Sequence, residues 1–307
     1  MTSITTLLKD INTLATVAHS PNPENLDWLL FTIGEAVRRS LSEPVGSRGP
    51  ASLRPSNLGR PDRQLWFEIN GEKNGFKPSE ESQQEVDNRS ETADIATATK
   101  FLIGHIMEAL LIFYVKEAGH KVSHYQERVE LDGISGSLDV VIDDVLVDVK
   151  TASGWSFKKF ADGTIFSDEG KDPFGYRHQI QFYRDAATAD PDHEPLFLVF
   201  NKENGELCLT PLPKHLENEP TSERIAKVRD ILDVTSPPPK KCYEPSEFGK
   251  SGNKVLNSNC GFCKWKHACW ADANYSAGLR GFKYSDGVKW FTEINNEPRV
   301  PEVYVKN

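Results

Sequence analysis

The stretch running from Gly136 to Lys150 restricts this chain more than any other. Val140 to Ile142 and Val145 to Val149 are apolar and mostly β-branched, and Asp143-Asp144 lies between them. That pattern predicts two short strands joined by a tight turn. Three polar side chains interrupt this apolar hairpin. Asp148 and Lys150 are two apart, so on a strand they share one face. Asp139 opens the preceding strand and can reach the same edge. Two carboxylates and an ammonium at one strand end suit a hard divalent cation, Mg²⁺ or Mn²⁺, and a polarised water. The alternative for an Asp-x-Lys pair is a solvated edge-strand face.

The flanking segments supply a sheet and its helices. Residues 4–40 carry helical spacing in two runs, Ile4 to Leu14 and Leu26 to Val37. Residues 94–118 form the longest helical pattern, ended by Gly119. Inside it, Glu108 sits in the apolar run Ile106 to Ile112, where a carboxylate needs a partner such as a cation. Gly104 there permits close approach to a neighbouring backbone. Residues 122–131 read as one strand. A short helix begins near Ser153 or Ser156 and carries Lys158 and Lys159, which are either phosphate contacts or a solvated pair. A further helix, from Pro173 or Gly175 to Ala187, places Gln179 and Tyr183 on one face. Residues 196–201 and 206–210 read as a hairpin about Asn204-Gly205. Upstream, Arg60 and Arg63 lie at a loop-to-helix entry, either as phosphate contacts or as parts of an ordinary capped loop with Trp66 in the core. Residues 71–92 are polar and loop-like.

Beyond Pro237-Pro238-Pro239 the cysteines follow the pattern C-x17-C-x2-C-x5-C: Cys242, Cys260, Cys263 and Cys269. A Cys-x-x-Cys turn brings two thiolates to one centre, and four thiolates suit Zn²⁺ or a [4Fe–4S] cluster. Clustered cysteines predict metal binding in a reducing cytoplasm rather than a disulfide framework. Cys208, alternating with Leu207 and Leu209, reads as a buried thiol. With 307 residues the chain has length for one sizeable core and an appended module. No run of about eighteen apolar residues is evident, so no membrane partner is expected. A net charge of −9 argues against a generic DNA-coating protein, and leaves room for a local basic groove around an acidic site.

Taken in order, Gly136-x-x-Asp139, Asp148-x-Lys150, Gln179-x-x-x-Tyr183 and the C-terminal cysteines resemble the PD-(D/E)XK nuclease superfamily. The RecB-like branch of phage exonucleases and CRISPR-adaptation nucleases is the most similar. The resemblance covers about residues 52–270. It implies an α/β fold of restriction-endonuclease type, a mixed central sheet flanked by helices, with a cysteine-bound metal module. The expected divisions are 1–50 (helical), 51–235 (nuclease core) and 236–307 (cysteine module and tail). The implied activity is metal-dependent DNA hydrolysis, exonucleolytic at DNA ends, in recombination, repair or phage DNA metabolism, with a recombination or helicase protein as partner. Glu108, Asp139, Asp148 and the carbonyl of Val149 would hold the cation, with His105 as second choice to Glu108. Lys150 would position the water, and Gln179 and Tyr183 would orient the strand. Iron-sulfur ligation by the four cysteines is implied over zinc, with Cys208 the second choice to Cys242. The alternative function is a catalytically inactive DNA-end-binding or scaffolding protein.

Overall fold

Sheet pairing places the predicted hairpin at the centre of the first of two units. The computed structural model describes residues 2–42, 52–79, 93–166, 172, 174–187, 193–213, 220–261 and 263–303. Unit one takes in Met1–Gly49, Leu53–Gly59 and Thr92–Ile225; unit two takes in Pro50–Ser52, Arg60–Glu91 and Ala226–Asn307. The molecule is mixed α/β.

In unit one, β1 (Val122–Ser123), β2 (Arg128–Leu131), β3 (Ile134–Ser137), β4 (Val140–Ile142), β5 (Val145–Ala152), β6 (Leu196–Asn201) and β7 (Leu207–Pro211) follow one another. The main sheet has the order β1-β4-β5-β6-β7, and β2-β3 form a separate ribbon. β4 and β5 are antiparallel, with Ile142 facing Val145. Asp143 and Asp144 both have positive φ, 49° and 67°, as a two-residue type I′ turn requires. β5 and β6 are parallel. A parallel pair needs a crossover, and the helices Gly154–Ala161 and Tyr176–Ala186 provide it.

Strand alternation sorts the chemistry onto one face. Val140, Ile142, Val147, Val149 and Leu198 pack with Leu7, Ile11, Leu111, Ile112 and Val115 from the helices Leu7–Thr16 and Ala93–Glu117. Asp148 and Lys150, out of phase with Val147 and Val149, therefore take the other face. There Phe160, Phe166 and Tyr176 surround Phe197. Among the described residues one helix, Ile95–Glu117, is long and apolar enough to cross a membrane. Here its Ala109, Leu111, Ile112 and Val115 are core residues.

One expectation needs correction. Residues 122–131 are not one strand: His124 and Gln126 have positive φ, and the chain turns so that Gln126 N donates to Asp139 O at 2.9 Å. The ribbon β2-β3, turning at Asp132-Gly133 with both φ positive, was not expected. Gly104 has no close neighbour, since a Cβ there would meet nothing within 4 Å. The polar stretch 71–92 forms a short 3-10 turn at Glu72–Asn74, and beyond Ser79 it lies outside the described residues.

Unit two joins helix Asp62–Asn70 to the C-terminal segment. Trp66 and Phe67 pack with Trp265, Cys269, Trp270 and Ala273, and Trp66 Nε1 donates to Val234 O at 2.9 Å. The tail is a second sheet: β8 (Ser246–Phe248), β9 (Asn253–Val255), β10 (Arg280–Tyr284), β11 (Gly287–Glu293) and β12 (Glu302–Val303), in the order β12-β10-β11-β9-β8. All its pairings are antiparallel.

Candidate functional sites

The acidic centre grows from the register of β4 on β5. The ladder pairs Val140 with Val147, so one step outward Asp139 lies opposite Asp148. Cross-strand neighbours stand about 5 Å apart at Cβ, and like charges there repel. Two devices hold the carboxylates in place. Asp139 Oδ2 accepts the Val149 amide at 2.8 Å. Asp148 Oδ2 meets Lys150 Nζ at 2.5 Å. Asp148 is buried, and among the described residues its Oδ1 has no hydrogen-bond partner.

Electrostatics follow from this crowding. Burial, then Asp148 and Glu108, raise Asp139 well above the usual carboxylate range, while Lys150 and the Val149 amide oppose the rise. Burial also raises Asp148, against the pull of Lys150. For Lys150, burial acts downward, but Asp148 and Asp139 outweigh it and hold the ammonium above its ordinary range. Its Nζ also stands 5.1 Å from the centre of the Tyr176 ring.

Glu108 arrives from the helix on the other face, one turn before Leu111 and Ile112. Its side chain is 12% exposed and accepts from Gln126 Nε2 at 2.5 Å; burial and the Glu108 charge push the Tyr125 hydroxyl up. Its charge acts on both Asp139 and Asp148. His105 is largely exposed, with Nδ1 3.9 Å from Glu108 Oε2. Gln179 and Tyr183 lie one turn apart on this helix, and burial pushes the Tyr183 hydroxyl up to about 12. Tyr183 is buried, so its ring has no open face for a base. The hydroxyl instead lies against Gly136, where an added Cβ would stand 2.9 Å from it and 2.7 Å from Pro55 Cγ. Gly136 thus lets the Gln-x-x-x-Tyr helix close on the segment leading to Asp139. A second close approach fixes the start of that helix: a Cβ at Gly59 would lie 2.6 Å from Gly175 Cα.

Lys158 and Lys159 lie on the helix directly after β5. Lys158 is exposed, and Lys159 Nζ stands 3.5 Å over the ring of Trp155, which is 72% exposed. Tyr125, Gln126 and Tyr176 were missed as site residues. Tyr125 and Gln126 fall at the unforeseen break between β1 and β2, and Tyr176 differs in no sequence feature from a core aromatic.

The second centre lies in unit two. Cys242, Cys260, Cys263 and Cys269 line one cavity, together with Gln64, Trp265 and Trp270. The neighbouring Cys242 thiol and the Arg63 guanidinium hold Cys269 at about 6 against burial. Cys269 and burial push Cys242 up, and burial pushes Cys260 up to about 12. Arg63, expected as a phosphate contact, turns into this cavity: Nε donates to Cys269 Sγ at 3.2 Å, Nη2 to Cys269 O at 3.0 Å, and Nη1 to Pro238 O. Arg60 is paired with Glu68 at 2.5 Å. Cys208 is a half-buried thiol of unit one, on β7 opposite Val199. Among the described residues, no three His, Cys, Asp or Glu side chains are already drawn together as a closed metal site.

Neither group of residues is foreign to a metal. An orphaned buried carboxylate oxygen beside a second carboxylate fits a hard cation, and four thiols around one cavity fit a thiolate-bound metal. No protein-family model and no curated protein matches this chain. Solved structures that match include the crystal structure of SSO0001, at 14% identity over 76% of this chain and 92% of that one, with a TM-score of 0.38.

Proposed function

We propose that the chain is a Mg²⁺- or Mn²⁺-dependent DNA nuclease of the PD-(D/E)XK superfamily, RecB-like branch, acting on DNA ends. The observation that carries this reading is Asp148. A buried carboxylate with one orphaned oxygen, crowded by Asp139 and answered by Lys150, is costly for a fold to keep unless it serves a cation. The mixed sheet with its parallel β5–β6 pair supports the restriction-endonuclease type of fold.

Asp148, Asp139 and Glu108 would hold the cation, with the Val149 carbonyl beside them on β5. When bound, the cation lowers the pKa of a water and polarises the phosphate. Lys150, kept charged by the two aspartates, would position the attacking water and offset charge building on the phosphate oxygens. Tyr176 and Asp148 fix the ammonium. Gln179 and Tyr183 brace the segment bearing Asp139 from behind. Lys158, Lys159 and the exposed Trp155 face solvent just past the strand, where backbone and bases of the substrate would lie. The cysteine cavity would hold a structural [4Fe–4S] cluster, with Zn²⁺ as the alternative, binding the 238–269 segment to helix Asp62–Asn70.

The test is degradation of end-labelled linear DNA, single- and double-stranded, with Mg²⁺ or Mn²⁺. Wild type is compared with Asp148→Asn and Asp139→Asn, which keep shape and lose charge. The expected result is metal-dependent shortening from a labelled end in wild type alone, with unchanged circular dichroism in the variants. A folded wild type that leaves both substrates intact overturns the catalytic reading in favour of DNA-end binding.

A further inference from the structure

The Cys-x2-Cys-x5-Cys segment brings three thiols together by local chain geometry alone. Cys242 has no such help: it lies 18 residues upstream of Cys260, just after a run of prolines. Something must hold the 238–242 segment against Cys269, and among the described residues Arg63 is the side chain from outside that segment that bonds both. Arg63 spends its guanidinium on both strands of that meeting: Nε and Nη2 on the sulfur and carbonyl of Cys269, Nη1 on the carbonyl of Pro238. A planar fork of five donors suits this, because its geometry is rigid once one bond is made. Three residues on, Lys241 Nζ donates to the same Cys269 carbonyl at 2.6 Å. Cys242 follows immediately and lines the same cavity as Cys269.

We propose that Arg63 is the positioning residue of the cysteine centre: it clamps the 238–242 segment onto Cys269 and so makes Cys242 the fourth ligand. The assignment of a bound metal rests on the reading above, but the clamp itself does not. Charge favours the same arrangement. Four thiolates around Zn²⁺ or a [4Fe–4S]²⁺ cluster leave two net negative charges inside a half-buried cavity, and Arg63 is a permanent cation in contact with one of the sulfurs.

Two readouts separate the clamp from the metal. The first is metal and sulfide content per chain, and the rate of metal release to a chelator, for wild type, Arg63→Gln, Arg63→Lys and Cys208→Ser. Arg63→Gln should release metal about 10–100-fold faster, as loss of a supporting partner typically does. Arg63→Lys should fall between, and Cys208→Ser should match wild type. The second is cross-linking of Cys242 to Cys269 by dibromobimane in chelator-stripped protein, mapped by mass spectrometry. It should be efficient in wild type, and lost in Arg63→Gln at unchanged circular dichroism. A cross-link that is efficient in wild type and lost in Arg63→Gln, in a protein that never held metal, keeps the clamp and removes the cofactor. Cross-linking and metal release both unaltered in Arg63→Gln overturn the proposal.

Discussion

Lys150→Met isolates the buried ion pair. The substitution keeps most of the stem's volume and removes the one cation beside Asp148, whose side chain is 2% exposed. Breaking a buried pair from one side costs about 3–5 kcal/mol, since the remaining charge is left uncompensated. Asp148 can cap that loss by taking up a proton. Holding a carboxyl of ordinary pKa near 3.9 neutral costs about 1.4 kcal/mol per pH unit, hence about 4 kcal/mol at pH 7 and about 1.5 kcal/mol at pH 5. The folded-state pKa is raised, so the unfolded chain gives up the proton first. Stability of the variant is therefore fullest below about pH 4 and falls as pH rises. Wild-type Asp148 is pushed up by burial too, but Lys150 pulls it back, and its own slope over this range is shallower. Urea unfolding in chelator, followed by far-ultraviolet circular dichroism, reads the effect. A slope of about 1–3 kcal/mol per molar converts 4 kcal/mol into a midpoint shift of more than about 1 M at pH 7. Asp148→Asn/Lys150→Met should recover most of it, because neither charge remains. Equal midpoints for wild type and Lys150→Met at pH 7, or a double variant no more stable than the single, refute the buried pair.

Other perturbations reach neighbouring links. Asp139→Asn removes a raised carboxylate beside Asp148, and should lift the melting temperature of the metal-free protein by a few degrees at pH 7 while losing the stabilisation that Mn²⁺ gives wild type; differential scanning calorimetry in chelator and in Mn²⁺ checks both. Gly136→Ala forces a methyl against Pro55 and the Tyr183 hydroxyl, costing about 1–3 kcal/mol in urea unfolding, with partial relief in Gly136→Ala/Tyr183→Phe. Trp155→Ala should weaken binding of a single-stranded oligonucleotide by about 1–3 kcal/mol, read by fluorescence anisotropy in metal-free buffer, if a base stacks on the exposed ring. Asp144→Gly relieves a positive φ at an exposed turn and should stabilise the hairpin by about 0.5–1 kcal/mol, net of its ion pair with Lys121.

The hairpin was legible because its apolar strands and acidic turn agree at every level, from β-branching to the type I′ turn. Period-two alternation then placed Asp148 and Lys150 on one face correctly. Glu108 was legible for a different reason: a carboxylate in an apolar helix must be answered, and Gln126 answers it. What stayed hidden depends on backbone detail or on distant partners. The break at His124–Gln126 needs left-handed backbone that no Gly announces. The β2-β3 ribbon did carry its signal, Asp132-Gly133, which a stricter reading of turn pairs would have used. Arg63 looked like a phosphate contact because its true partners lie 206 residues away. The second sheet was obscured because its strands are short and mixed in character.

Unit two is discontinuous along the chain, with Thr92–Ile225 of unit one inserted between Arg60–Glu91 and Ala226–Asn307. Helix Asp62–Asn70 therefore emerges from the ribosome long before its partners: its hydrogen bonds reach Leu232, Val234 and Cys269, 162 to 206 residues later. At about 5–20 residues per second, that is a wait of about 8–40 s. The sheet of unit one is complete by Pro211 and can close during the interval, whereas Trp66 and Phe67 stay uncovered until the last thiols arrive. Folding is thus ordered from the inside of the chain outward. The nascent protein passes through a state with an assembled acidic centre and an unburied aromatic helix, the species on which a chaperone would act and from which aggregation would start.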